Sequence, residues 1–225
     1  MKIADLIRSN QYVWKLARSI RIALDKMRPI KGKGNTVDCK GIMYKCSKSV
    51  IGNNNRILIG KDSSLTRTSF RIHGNNNLLL IEDNVTVGGG SSFWLEGNNN
   101  TIVVRSNTSF TQKVHINAQE HDMKIEIGED CMLSNNIIIR TSDSHPIIDF
   151  NSGQRINFPK SVIIGKHVWI APSTTIMKGV SVGDNSIIGS HSVVLHPIPS
   201  NCLAVGIPAK VVKENVTWTR DDVLF

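Results

Sequence analysis

Long apolar runs are missing from this sequence: none reaches the roughly 18 residues that a membrane-spanning helix needs. No secretory signal with a cleavage site precedes the first repeats either, so a cytoplasmic protein, soluble or peripheral at the inner face of the membrane, is expected. Cysteine is sparse. The four residues, Cys39, Cys46, Cys131 and Cys202, form no CxxC pair and show no metal-ligand spacing, which predicts reduced, mostly buried thiols and no metal. Aromatic residues make up 5 % of the chain, too few for a base-stacking surface, and no recognition module is visible, so nucleic acid is not an expected partner. Acidic residues are also in deficit: 18 Asp and Glu face 27 Lys and Arg, a net charge of +9. That surplus favours an anionic partner, whether acidic polymer, membrane face or phosphorylated cofactor, without choosing among them.

What the sequence does contain is a period of six. From residue 164 an aliphatic anchor returns at Ile164, Ile170, Ile176, Val182, Ile188 and Val194, with small or polar residues between. Six is neither a helical nor an alternating period. It fits a triangular coil in which each hexad forms one short strand and one corner, so that three hexads complete a turn and the anchors stack into a buried column. The prediction is an all-β protein, a parallel β-helix.

A second regularity lies upstream. The corner sequence GNNN occurs at 52–55, 74–77 and 97–100, and hexad series start at Ile59, Ile81, Val104 and Ile127, separations of 22, 23 and 23 residues. Each coil there is 18 residues plus four or five more, placed just before the next first anchor and hence at one corner of the triangle. Asn suits such a corner because it tolerates left-handed backbone and bonds its own neighbours. From Ile127 to Ile164 the interval is 37 residues, so a long insertion, His145 to Ile163, leaves from the same corner. A loop of this length on a stiff solenoid points to function. Gly88, Gly89 and Gly90 lie within the hexad series and lack a following P-loop lysine, so corner packing accounts for them better than a phosphate loop.

Residues 2–28 read as a basic amphipathic helix that caps the solenoid or a neighbouring subunit, or lies on an anionic membrane surface. Pro29 ends it and KGKG follows as a linker, giving a first segment of 1–34, a β-helix over 35–216 and a C-terminal tail, 217–225, that carries no recognisable signal.

The hexads, the loop opening SDSHPI, the run VIIGKHVWIAPSTTIMKGVSVGDNSIIGSHSVV and the end PSNCLAVGIPAKVVKE resemble the hexapeptide-repeat acyltransferases, whose fold is a left-handed parallel β-helix. Within them the chain is most similar to bacterial capsular polysaccharide O-acetyltransferases such as those acting on polysialic acid. The resemblance implies acetyl transfer from acetyl-CoA to a sugar hydroxyl, in a homotrimer with active sites between neighbouring solenoids. It places the catalytic histidine at His145, with Asp143 or Ser142 to orient the ring. A sugar hydroxyl is a poor nucleophile at neutral pH, and an imidazole can take its proton as it attacks and then protonate the departing thiolate. The same resemblance sets Trp169 beside the CoA arm and the acceptor, Ala171 and Pro172 along the pantetheine, Ser190 in the next corner, and Lys210 and Lys213 near the nucleotide phosphates. The family often has Thr-Lys-Asp where this chain has Leu195, His196 and Pro197, so His196 takes the lysine's place. In the loop, Asp149, Asn151, Arg155 and Asn157 are candidates for acceptor hydroxyls or carboxylates, Arg155 being suited to a bidentate contact. Acetylation of a small acceptor (a free sugar, a nucleotide amino-sugar or serine) and a non-catalytic β-helix scaffold are the competing functions.

Overall fold

The computed structural model describes residues 30–221. The proposed helix at 2–28 and the last four residues of the tail lie outside them. Three faces are built from short parallel strands. On the first, Thr36–Cys39, Arg56–Ile59, Leu78–Ile81, Thr101–Val104, Lys124–Ile127, Val162–Ile164 and Ser181–Val182 pair in that order. The second face stacks Ile42–Tyr44, Ser64–Thr66, Thr86–Val87, the starts of Ser109–Gln119 and Met132–Arg140, then Trp169–Ile170, Ile187–Ile188 and Cys202–Gly206. The third face stacks Ser47–Ile51, Ser69–His73, Ser92–Glu96, the ends of those same two long strands, then Thr175–Ile176 and Val193–Val194. Ser109–Gln119 and Met132–Arg140 each run across the corner between the second and third faces.

The hexad anchors fall in register in three columns. On the first face Ile59 pairs with Ile81, then Val104, Ile127, Ile164 and Val182 in sequence. On the second, Leu65 leads through Val87, Phe110, Leu133 and Ile170 to Ile188. On the third, Phe93 leads through Ile116, Ile139 and Ile176 to Val194. All are buried. Strands alternate inside and outside, so each short strand contributes one or two side chains to the core, and hydrophobic burial comes from stacking coils rather than from any one coil alone. Phe70 stacks on Phe93 with centroids 5.9 Å apart.

Each corner needs a left-handed residue, and the three corners fill it differently. The first corner, between the first and second faces, uses Asp62, Asn84, Asn107, Asp130, His167, Asn185 and Asn201. The second uses Lys45, Arg67, Gly90, Lys113, Asn136, Ser173 and His191. At the third, the GNNN sequences place Asn54, Asn76 and Asn99 at φ 56–59°. Their glycines let the backbones close up: a Cβ on Gly74 would lie 1.8 Å from the Gly97 carbonyl oxygen. Inside this corner the buried Asn55, Asn77 and Asn100 form a ladder in which each Oδ1 accepts the backbone N–H of the next coil, beginning at Asn35 and ending at the N–H of Met123.

Two expectations change. KGKG forms the third corner of the opening coil rather than a linker: Lys31 bridges to Ile51, and Asn35 starts the ladder. The tail, in which the sequence shows no signal, has a structural role. The last strand, Ala209–Glu214, turns back antiparallel to Cys202–Gly206. Trp218, 9 % exposed, then stacks on His167 at 4.3 Å, and Arg220 reaches Asp130 and the Cys131 carbonyl. The chain end thus straps three coils together. Among the described residues no helix is long and apolar enough to cross a membrane.

Candidate active site

The long insertion spans 141–161 between the strands Met132–Arg140 and Val162–Ile164 and leaves at the third corner. Directly before it in the stack, the glycine of the GNNN corners is replaced by Glu120, held at φ 77°. The rest of that corner persists in altered form, with His121 accepting the Asn98 N–H and Asp122 the Asn99 amide. Glu120 therefore sits in backbone that favours glycine.

Its carboxylate makes a bidentate pair with Arg155 at 2.7 Å for both bonds and accepts the Ser142 hydroxyl at 2.6 Å. The Arg155 guanidinium beside it holds the Glu120 carboxyl below its ordinary value. One coil further on, Lys178 bonds Asp143 at 2.5 Å and in the same way pulls the Asp143 carboxyl down. Between the two ion pairs lies Asn157, 7 % exposed. Its Oδ1 accepts from the Ile147 N–H and from Arg155 Nε, and its Nδ2 donates to Asp143 and to the His145 carbonyl. Arg140 completes the frame, donating to the Ser142 carbonyl and the Ser144 hydroxyl.

The frame fixes the backbone of His145 and leaves its side chain exposed. Neither Asp143 nor Ser142 bonds the imidazole: Asp143 is taken by Lys178 and Asn157, Ser142 by Glu120 and the Ser144 N–H. Arg155 and Asn157 likewise have protein partners for their polar atoms, Arg155 on Glu120 of the preceding coil and on Asn157, and Asn157 on Asp143 and the Ile147 and His145 backbone, so that they tie the loop to the solenoid. Asp149 bonds the N–H groups of Asn151 and Ser152 and forms a local turn. The loop's apolar side chains point outward instead: Ile147, Ile148, Ile156 and Phe158 are exposed, and Phe150 is 98 % exposed. Glu120 and Lys178 escaped the sequence reading. The visible signal for Glu120 was a fourth corner that breaks the GNNN pattern just ahead of the insertion.

The residues expected to hold the cofactor gather elsewhere. Trp169 is half-buried on the second face, its ring 6.2 Å from that of Trp218. Ala171 and Pro172 form the second corner of that coil, and the exposed Ser190 lies at the second corner of the next. Lys210 and Lys213 are exposed on the returning strand at the end of the second face, paired with Val205 and Leu203. His196 alone sits at the third corner, exposed, beyond Lys178 in the stack. Within one chain, His145 and the Ala171–Ser190 set are separated by the width of the third face. Cys131 is no candidate nucleophile, since burial pushes its thiol up to about 12.

Residues 161–196 match the family described as bacterial transferase hexapeptide (six repeats). The polysialic acid O-acetyltransferase of Neisseria meningitidis is 39 % identical over 193 residues, covering 84 % of this chain and 88 % of that enzyme. The enzyme of the same name from Escherichia coli O1:K1 is 41 % identical over 98 residues, 44 % of this chain but only 32 % of that longer one. In three dimensions the chain is similar to the polysialic acid O-acetyltransferase OatWY, with a TM-score of 0.79 and 36 % identity over 85 % of this chain and 90 % of that one. Near-complete coverage at this identity, on the same coil architecture, means that the chain belongs to the hexapeptide-repeat O-acetyltransferases.

Proposed function

We propose that this protein transfers acetyl from acetyl-CoA to a hydroxyl of a capsular or O-antigen polysaccharide, with His145 as the general base. The observation that carries the reading is the isolation of the His145 ring. Arg140, Ser142, Asp143, Arg155 and Asn157 around it are bound to one another or to the solenoid, and the imidazole at the head of the frame has no hydrogen bond among the described residues. In the reaction a ring nitrogen takes the proton of the sugar hydroxyl while its oxygen attacks the thioester carbonyl. The C–S bond then breaks, and the imidazolium returns the proton to the CoA thiolate. A mere scaffold would not need a histidine built out on two ion pairs.

The separation of His145 from Trp169, Ala171, Pro172 and Ser190 supports a homotrimer, in which the third corner of one copy meets the second corner of the next and the two half-sites face each other. The exposed Phe150, Ile147 and Ile148 are suited to seat the loop on that neighbour. Acetyl-CoA would then lie along Ala171, Pro172 and Ser190, with Lys210 and Lys213 toward its phosphates. Asp143 and Arg155 serve this reading as anchors of the loop.

The test is release of CoA thiol from acetyl-CoA with polysialic acid, neutral polysaccharides, free sugars, nucleotide sugars and serine as acceptors. A polysaccharide should support turnover, and His145→Ala should lower it by about 10²- to 10⁴-fold with the trimer intact. Turnover with serine or a free sugar alone would move the assignment to a small-acceptor enzyme. Full activity in His145→Ala would remove the base.

A further inference from the structure

Left-handed backbone favours Gly, Asn and Asp, and the first and third corners follow that rule. The second corner breaks it with Lys45 (φ 55°), Arg67 (φ 46°) and Lys113 (φ 52°), each exposed. Turn chemistry does not call for a long cationic side chain at three of the first four coils. Some cations elsewhere have partners, Arg105 with Glu82 and Glu126, Lys124 with Glu126, Arg155 with Glu120, and Arg71 over the Trp94 ring. Among the described residues no carboxylate pairs with Lys45, Arg67 or Lys113.

Between Arg67 and Lys113 lies the triple glycine. Two of its members are needed by the fold: a Cβ on Gly88 would fall 1.5 Å from the Thr111 carbonyl oxygen, and Gly90 sits at φ 80°. Gly89 is different. It has no left-handed φ, and a Cβ there would meet nothing closer than 3.7 Å, the Cβ and Cδ of Arg67. The Arg67 side chain thus runs over Gly89 from one side, and Lys113, whose Cγ lies 3.1 Å from a Cβ built on Gly90, comes over from the other. Two unpaired cations converge on a corner free of side chains, on the same edge that carries Pro172 and Ser190 further along.

We propose that this glycine corner, flanked by Arg67 and Lys113 and extended by Lys45, is a binding site for the carboxylates of an anionic glycan, remote from the reacting hydroxyl. The inference rests on the polysaccharide reading above and narrows it to acidic polymers. Coils rise by about 4.8 Å, so Arg67 and Lys113 stand two coils, about 10 Å, apart along the edge, a spacing that spans more than one sugar unit. A planar guanidinium suits a carboxylate bidentately, and a lysine serves as its mobile partner. Glycine at position 89 keeps the corner open for a sugar ring.

Two variants test this: Arg67→Gln/Lys113→Gln, which removes the charge, and Gly89→Ala, which fills the corner at a position the fold tolerates. Acetylation of polysialic acid and of a sialic acid dimer would be measured across a salt series, alongside binding of polysialic acid without acetyl-CoA. The double variant should raise the KM for polymer on the order of tenfold and flatten its salt dependence, with KM for acetyl-CoA, turnover of the dimer and thermal midpoint unchanged. Gly89→Ala should raise polymer KM several-fold without loss of stability. Unchanged polymer KM, salt dependence and binding in both variants would overturn the site. If the parent protein acetylates no glycan, the enzymatic reading falls by itself, while loss of polymer binding in the double variant would still support the corner.

Discussion

The early coils and the late coils solve the same closure problem in different ways. From Ile59 to Ile127 a coil takes 22 or 23 residues, its strands run to five residues or more, and the third corner is closed by an asparagine ladder one coil high per step. From Ile164 to Val194 a coil takes 18 residues, strands shrink to two, and small residues such as Gly179 and Gly183 close the corners tightly. The loop that carries His145 departs where one type gives way to the other. At that seam the ladder has ended at Met123, and the corner position that glycine filled in earlier coils is given to Glu120. Gly97 is still stacked tightly, since a Cβ there would lie 1.8 Å from the carbonyl oxygen of Glu120 in the next coil, whereas Glu120 itself is followed in the stack by the insertion and not by another GNNN corner. The proposed active site thus occupies a defect in a regular lattice, and residues that look irregular there are the ones that hold the loop.

The sharpest way to separate the two halves is to remove a rung. Asn77→Ala deletes the acceptor of the buried Asn100 N–H and the donor to the Gly97 carbonyl, and should cost about 2–4 kcal/mol in denaturant unfolding. Thr174→Ala in the tight half deletes a hydroxyl bonded to the Ala171 carbonyl and should cost about 1 kcal/mol. Equal costs would mean that the ladder is not what holds the early coils. Trp218→Ala comes next. It strips the stack on His167 and the indole bond to the His167 carbonyl, for about 1–3 kcal/mol, and should leave Asn77→Ala additive because the two sites share no partner.

The hexad period made the three core columns legible, since an anchor every six residues can be buried only if coils stack. The corner that takes the extra residues was equally plain, because GNNN recurs at the coil spacing. Less was visible where residues meet across many positions. Arg155 and Asn157 looked free to bind an acceptor, as loop residues do in a linear reading, but their partners Glu120 and Asp143 lie 35 and 14 positions away. Trp218 and Arg220 gave no signal because their contacts, His167 and Asp130, are 51 and 90 residues distant and follow no period. A repeat announces what it repeats; single long-range pairs carry no comparable mark.

Glu120→Gly restores the consensus of the preceding corners and should therefore split stability from activity. Relief of the left-handed strain offsets the loss of a half-buried ion pair, so unfolding free energy should stay within about 1 kcal/mol of the parent. Turnover should fall by about tenfold, since Arg155 and Ser142 lose their partner and the backbone of His145 shifts within its frame. Acetyl-CoA KM should not change, because the Ala171–Ser190 set lies at another corner. Loss of stability in step with activity would make Glu120 an ordinary part of the fold.

The smallest effect expected is that of mild acid on the loop frame. Arg155 lowers the Glu120 carboxyl and Lys178 lowers that of Asp143, so both groups are ionised in the folded protein at a pH where they would already take up protons in the unfolded chain. For carboxyls lowered in this way, the stabilisation is present in full above the ordinary carboxylate range and is lost only as pH falls through the depressed folded values. Between neutrality and about pH 5 the frame should therefore hold, and the rate of proteolytic cleavage within 145–161 should be flat across that interval and rise only in stronger acid. In Glu120→Gln the Arg155 pair is already absent, so cleavage should be faster at every pH and its acid rise smaller, leaving the Asp143–Lys178 pair as the part that still titrates. A parent loop that opens already between pH 7 and about 5 would show that groups other than these two carboxylates hold it closed.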